Sequence, residues 1–421
     1  MSVDEMSSAV QMLTGAKAAA GALHEETEMA IDDQSGAVLD PKLMRAARTA
    51  EIAYFRSMNV YTKVPIAECW KMTGSEPISV RWVDINKGDT LCPNYRSRLV
   101  AREFNTSVKP EWYAATPPSE TLRLMLSKLA GDRGQKLMYA DVSRAYFYAP
   151  AVRAVYVRLP EEDFEECDKG MVGKLNMSMY GTRDAAANWA AEYGKTLIAA
   201  GYAQGKSSPC IFHQASSNTT IMVHGDDFVG VGKPEELVKL KAALEDKYKL
   251  KVEMLSGESA DMKEVRILNK IIRWTPGGVE LEADPRHAEI VVKELGLEKA
   301  TASKVPGVKP TREELEKTVD EEVLDRVEAR KYRAIAARLN YLAPDRLDIG
   351  YSVKEAARNM ANPRRSDFEN LKRIGRYLLA RPRLVSTFGW QSGVDLITAY
   401  TDSDWAGCAA TCKSTSGGIC V

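Results

Sequence analysis

Apolar positions recur along this chain with two periods, and the periods divide it into elements. Leu122, Leu126 and Leu129 stand at helical spacing behind Pro118-Ser119-Glu120 and ahead of Gly131, which predicts a capped helix. Trp189, Tyr193 and Leu197 fall at i, i+4 and i+8 and place a second helix over 184–200, closed by Gly201. Pro234 opens a third, carrying Leu237, Leu240 and Leu244, because proline is tolerated in a first turn. Other runs read as strands. Residues 81–84 and 98–101 flank the turn signal Lys87-Gly88-Asp89, and 136–142 is a short buried strand that ends in an acid. Residues 220–224 and 228–231 join through Gly225-Asp226-Asp227, a hairpin with two carboxylates at its tip. The order β, β, α, β, α, β-hairpin, α predicts an α+β fold on an antiparallel sheet.

Farther along, 274–279 predicts a turn, 285–295 a helix, and 311–330 a charged helix with opposite-sign neighbours on a solvated face. Residues 331–383 are helical by spacing, with Leu371, Ile374 and Leu378 on one face, and carry thirteen Lys or Arg against five Asp or Glu. The whole chain balances 58 basic against 58 acidic residues, so a polyanionic partner has to be held by such a local patch. A last strand over 396–402 ends in Asp402. The first fifty residues have no Trp, Phe or Tyr before Tyr54 and read as a weakly ordered lead-in. There is no internal repeat and no low-complexity tract.

Composition narrows the class. A length of 421 residues suggests about three domains, and 45% hydrophobic with 28% charged residues excludes a disordered, collagenous or coiled-coil chain. No window approaches ~18 apolar residues and no leader pattern opens the chain, so the expectation is no membrane partner and an intracellular location, cytoplasmic and/or nuclear. Seven cysteines are sparse, and Cys408, Cys412 and Cys420 have no nearby histidine to complete a zinc site; reduced thiols are expected.

The chemistry lies in three carboxylates. Asp141 ends one buried strand and Asp226-Asp227 tips a hairpin, so the three could converge at one sheet edge. Buried like charges are tolerated only when protonated or neutralised by cations. Two Mg²⁺ (or Mn²⁺) held ~3.5–4 Å apart by such carboxylates activate a hydroxyl and stabilise a leaving pyrophosphate. Gly-Asp-Asp is also ordinary turn chemistry, so that tripeptide alone does not decide.

Its surroundings carry a resemblance. Asp141-Val142-Ser143-Arg144-Ala145-Tyr146-Phe147 resembles the first polymerase motif of reverse transcriptases, and Val223-His224-Gly225-Asp226-Asp227 resembles their paired-aspartate hairpin. From about residue 50 to its end the chain is similar to copia-type retrotransposon polyproteins, through Arg96-Ser97-Arg98, Ser178-Met179-Tyr180-Gly181, Ala187-Asn188-Trp189, Leu339-Asn340-Tyr341-Leu342 and Tyr400-Thr401-Asp402-Ser403-Asp404-Trp405 among other segments.

The resemblance implies an RNA-directed DNA polymerase, a nucleotidyltransferase that adds dNTPs to a primer 3′-hydroxyl on an RNA or DNA template in the DNA-integration pathway of a transposable element. It implies a right-hand polymerase: a lead-in over 1–50, fingers and an antiparallel-sheet palm over 51–270, thumb and connection over 271–385, and a truncated ribonuclease H-like α/β start over 386–421. Asp141 and Asp226 would bind the metals with the Val142 carbonyl, and Asp227 would support them. Arg96 and Arg98 would hold the triphosphate, and Tyr146, with Phe147 beside it, would exclude a 2′-hydroxyl. The basic 331–383 segment would grip duplex phosphates, with 285–295 as a thumb helix. Implied partners are an RNA/DNA primer-template, dNTPs and other retrotransposon proteins of a longer polyprotein. Asp402 matches an incomplete ribonuclease H site; only 19 residues follow it, so cleavage of a hybrid is not expected.

Three departures bear on nucleotide selection. His224-Gly225 replaces an aromatic and an apolar residue, Asp184 stands where a glutamine is usual and would need to point away or pair with Arg183, and the proline usual after it is missing within 185–187. Two alternatives stay open. An RNA-dependent RNA polymerase shares Gly-Asp-Asp, and Tyr146 discriminates against it; a decayed remnant would bind nucleic acid without catalysis.

Overall fold

The computed structural model describes residues 30–89, 92–104, 112–308, 311, 313, 321–392, 396–408 and 411–420. It resolves into two interleaved units, one from residues 1–114 and 144–195, the other from 115–143 and 196–421.

In the first unit, Asp40 caps the helix Pro41–Ser57 by accepting from the Lys42 and Leu43 amides at 2.8 and 3.1 Å. The weakly ordered lead-in expected over the first fifty residues is therefore replaced by a helix from Pro41 onward; residues 1–29 lie outside the described residues. That helix buries Ile52 and Phe55 with Val60, Leu99, Phe147, Val157 and Met179. A three-stranded antiparallel sheet orders Tyr61–Pro65, Met171–Leu175 and Tyr156–Val157, and Val80–Asn86 pairs with Tyr95–Ala101. The 81–101 hairpin predicted around Lys87-Gly88-Asp89 thus closes through a longer loop.

The second unit is built on a six-stranded antiparallel sheet in the order Leu250–Leu255, Lys136–Val142, Asp227–Gly232, Thr219–His224, Ile211–Gln214, Ala203–Gln204. Its faces follow the two-residue period. Leu137, Val229 and Val231 pack with Leu122, Met125, Leu126 and Leu129 of the helix Ser119–Ala130 and with the four-stranded sheet of Glu264–Ile267, Lys270–Thr275, Gly278–Glu282 and Val385–Gly389. The helix Pro234–Glu245 covers the opposite face, where its Leu237 and Leu240 come within 3.3 Å of the site a side chain would occupy on Gly230.

The helix from Ser119 lacks the predicted cap. Pro118 is its N-cap and makes no side-chain bond, and Gly131 is right-handed at φ −73°. Four helices, Arg286–Glu294, Arg326–Leu342, Gly350–Arg358 and Arg365–Ala380, enclose a separate core in which Leu371, Ile374 and Leu378 are buried as their spacing foretold. Of the charged helix expected over 311–330, Glu313 is helical and a helix capped by Asp325 runs from Arg326, while residues 321–325 between them are not helical; residues 312 and 314–320 lie outside the described residues. The hairpin of Ala399–Ser403 and Ser416–Cys420 is exposed at every position.

Candidate active site

Asp141 is the sixth residue of a strand with a neighbour on each side. It stands opposite Asp227 on one and opposite Lys251 on the other. The hairpin is tighter than its sequence suggested: His224 pairs with Asp227, so Gly225 and Asp226 alone make the turn, and Asp227 is already a strand residue. Gly225 sits at φ +64°, the left-handed conformation that glycine adopts most readily. The turn is stitched to the neighbouring strand by the Val142 amide, which donates to the Asp226 carbonyl at 3.0 Å. Three acids thus belong to adjoining positions of one sheet edge.

Tyr139 completes this edge. Two residues before Asp141 it shares that residue's face of the strand, and its hydroxyl donates to Asp227 Oδ1 at 2.7 Å. Burial lifts the Asp227 carboxyl above the usual aspartate range; the bond from Tyr139 opposes that, and the charges of Asp226 and Asp141 add to it. Burial likewise pushes the Tyr139 hydroxyl up, and its bond to Asp227 reinforces the shift. Repulsion among hard oxygen donors is what a divalent cation relieves, so the donor set fits Mg²⁺. Among the described residues no three acidic, His or Cys side chains already close on one point.

The phosphate and sugar candidates lie in the first unit. Arg96 and Arg98 are exposed positions that alternate with buried Ser97 and Leu99 on the strand Tyr95–Ala101. Arg98 lies over the Tyr180 ring at 5.2 Å, and the Tyr146 ring is 4.7 Å from the same ring. Tyr146 belongs to a short 3₁₀ turn, Ala145–Tyr148, entered through Arg144 at φ +54°. Phe147 is fully buried, edge-on to Phe55 at 4.7 Å, and so anchors that turn from within the core.

Tyr180 was missed as a site residue although its tetrapeptide stood out. The signal is backbone geometry. The Ala101 amide donates to the Tyr180 carbonyl at 2.8 Å, and Gly181, at φ +83°, leaves no space for a Cβ, which would stand 2.0 Å from the Ala101 oxygen. Asp184 does not pair with Arg183. It is buried and accepts from Arg153 at 2.9 Å and Asn188 at 3.1 Å, while Arg153 also bonds Glu103. Arg183 instead lies over Trp112 at 4.5 Å, with Arg153 over the same ring at 4.8 Å. Asp402, opposite Gly417 on the C-terminal hairpin, is exposed.

A family model described as "Reverse transcriptase (RNA-dependent DNA polymerase)" matches residues 67–308, more than half of the chain. The chain is 25% identical over 355 residues to the retrovirus-related Pol polyprotein from transposon TNT 1-94 of Nicotiana tabacum, covering 82% of this chain and 26% of that protein. It is 26% identical to the Pol polyproteins from transposons RE2 and RE1 of Arabidopsis thaliana, over 83% and 81% of this chain and 24% and 23% of theirs. It therefore spans about a quarter of the length of these relatives.

Proposed function

The chain belongs to the reverse transcriptase (RNA-dependent DNA polymerase) family, and on that premise we propose that it extends a primer 3′-hydroxyl with dNTPs along an RNA or DNA template, as a copia-type polymerase. The observation that carries the proposal is the sheet edge itself, where Asp141 stands in register with Asp227 and the Asp226 turn is bonded to Val142. The fold is reverse-transcriptase-like and mixes helices with antiparallel sheets. Within it we assign fingers and palm to 51–270, thumb and connection to 271–385, and a ribonuclease H-like segment with Asp402 to 386–421.

Asp141, Asp226 and the Val142 carbonyl would hold Mg²⁺, which when bound lowers the pKa of the attacking hydroxyl and offsets charge on the leaving pyrophosphate. Asp227, engaged by Tyr139, keeps the hairpin seated beside the Asp141 strand. Arg96 and Arg98 supply guanidinium forks for triphosphate oxygens, and Tyr146 supplies a ring against a 2′-hydroxyl. The Asp184 carboxylate is neutralised by Arg153 and so does not face a triphosphate as a bare charge. Among the described residues no helix is long and apolar enough to cross a membrane.

Primer extension on poly(rA)/oligo(dT) with Mg²⁺ tests the proposal. Asp141→Asn and Asp226→Asn each keep side-chain shape while removing charge. Each should lower extension by on the order of 10²-fold or more with duplex binding nearly unchanged. Near-normal extension by both variants would sink the assignment.

A further inference from the structure

A cavity of about 350 Å³ opens in the second unit, lined by Asn269, Asp284, Arg286, His287, Ile290 and Tyr341. None of these has a part in the site described above. Its walls are unlike a core. Tyr341 is a large aromatic yet 59% exposed, and its ring stands 4.8 Å from that of His287. Burial holds the His287 imidazole below its ordinary value, so the pair offers two neutral π faces near neutral pH.

Two guanidinium groups accompany the rings. Arg286 forks onto Asp284 through Nε and Nη2, and its Nη1 makes no hydrogen bond to the described residues. Arg338 reaches His287 Nδ1 at 3.4 Å and Glu294 at 3.9 Å, and its Nε is buried without a hydrogen-bond partner. Asn269 holds the hairpin turn at φ +64° and brings a carboxamide to the rim.

Exposed planar rings bind planar π systems, and guanidinium groups bind phosphate oxygens and do not lose their charge. A carboxamide and a carboxylate offer donors and acceptors to a base edge. One nucleotide unit combines all three features. A bare anion would meet Asp284 and Glu294, so stacking has to lead. Bases in a duplex have their faces covered by neighbours, which leaves an unpaired base as the occupant. We propose that this cavity takes one unpaired nucleobase of a single strand, stacked on Tyr341, with its phosphate held by Arg286, whose side chain is exposed.

The test reads binding in EDTA, so it stands apart from the polymerase proposal: a chain that extends no primer still answers it. Fluorescence anisotropy of the full chain compares a blunt duplex with the same duplex bearing a six-nucleotide oligo(A) overhang. The overhang should tighten binding, and Tyr341→Ala should remove roughly tenfold of that gain, leaving blunt-duplex affinity alone. Tyr341→Phe should keep the gain and Arg286→Gln should reduce it. Displacement of the overhang by free AMP supports base stacking; equal displacement by inorganic phosphate overturns it. The inference also fails if the wild-type chain ignores the overhang, or if Tyr341→Ala weakens both duplexes equally.

Discussion

Tyr146 and Tyr180 meet ring to ring while Arg98 lies over the second ring, so a change at either tyrosine should register in how nucleotides are chosen. Trimming Tyr146 to Val opens the room that a 2′-hydroxyl needs. The rNTP-to-dNTP efficiency ratio should rise roughly tenfold or more, since pocket discrimination of this kind is worth ~1–3 kcal/mol. An unchanged ratio in a variant that still polymerises would give Tyr146 a purely structural part. Tyr139→Phe removes the hydroxyl from Asp227 and keeps the ring; a bond to a charged group contributes about 1.5–3 kcal/mol, so extension should fall about tenfold while far-UV circular dichroism stays unchanged. Loss of helix and strand signal instead would move Tyr139 to the fold. The carboxylates were legible because Asp141 and Asp226-Asp227 each lie inside a contiguous pattern that names its own element. Arg153 was not, since it meets Asp184 across 31 residues of chain, and no local spacing announces such a pair.

Elements whose apolar residues keep a clean helical period were read close to their observed ends. Ala185–Ala199, Pro234–Glu245 and Arg286–Glu294 are examples. Leu250–Leu255 was not read as a strand, although Lys251 and Glu253, which bond to each other at 2.6 Å, alternate with Leu250, Val252 and Met254; its partner strand, Lys136–Val142, lies more than a hundred residues earlier, where no local signal announces it. Burial without a countercharge marks the helix Ser119–Ala130. Lys128 donates to the Asn218 carbonyl and to Thr220 Oγ1, has no carboxylate partner among the described residues, and is pushed down to about 8 by burial. Its folded value lies below the unfolded 10.5, so the cost of its charge is fully present below pH 8 and fades as pH rises toward 10.5. Lys128→Met should therefore raise the thermal midpoint at pH 7, by about 2–4 °C per kcal/mol recovered, and by less at pH 10. A gap that widens with pH would reverse the sign. Gly181→Ala has no such latitude, because its Cβ would strike the Ala101 oxygen at a left-handed φ. The urea midpoint should drop, by an amount equivalent to about 1–3 kcal/mol.

Across the whole molecule, stability should fall toward the C-terminal hairpin, where Ile397, Tyr400 and Ile419 are 71%, 61% and 51% exposed. Limited trypsin digestion read by mass spectrometry should cut at Lys413 before any site in 119–300, and first cuts inside 119–300 would contradict that gradient. Poor covering of these three apolar residues was legible from the sequence, whereas the two units were not, because each is assembled from two separated segments of chain. The same threading sets a timetable for synthesis. Lys136–Val142 is an interior strand of its sheet, yet both of its neighbours, Asp227–Gly232 and Leu250–Leu255, come later in the chain. At ~5–20 residues per second, the strand bearing Asp141 waits on the order of 5–20 s on the ribosome before its second edge is made. During that interval its apolar residues and unpaired amides are open to any other nascent strand. A translational pause between residues 142 and 255 would lengthen that window for mispairing, whereas one that comes once Leu250–Leu255 has left the ribosome would find the six-stranded sheet able to close.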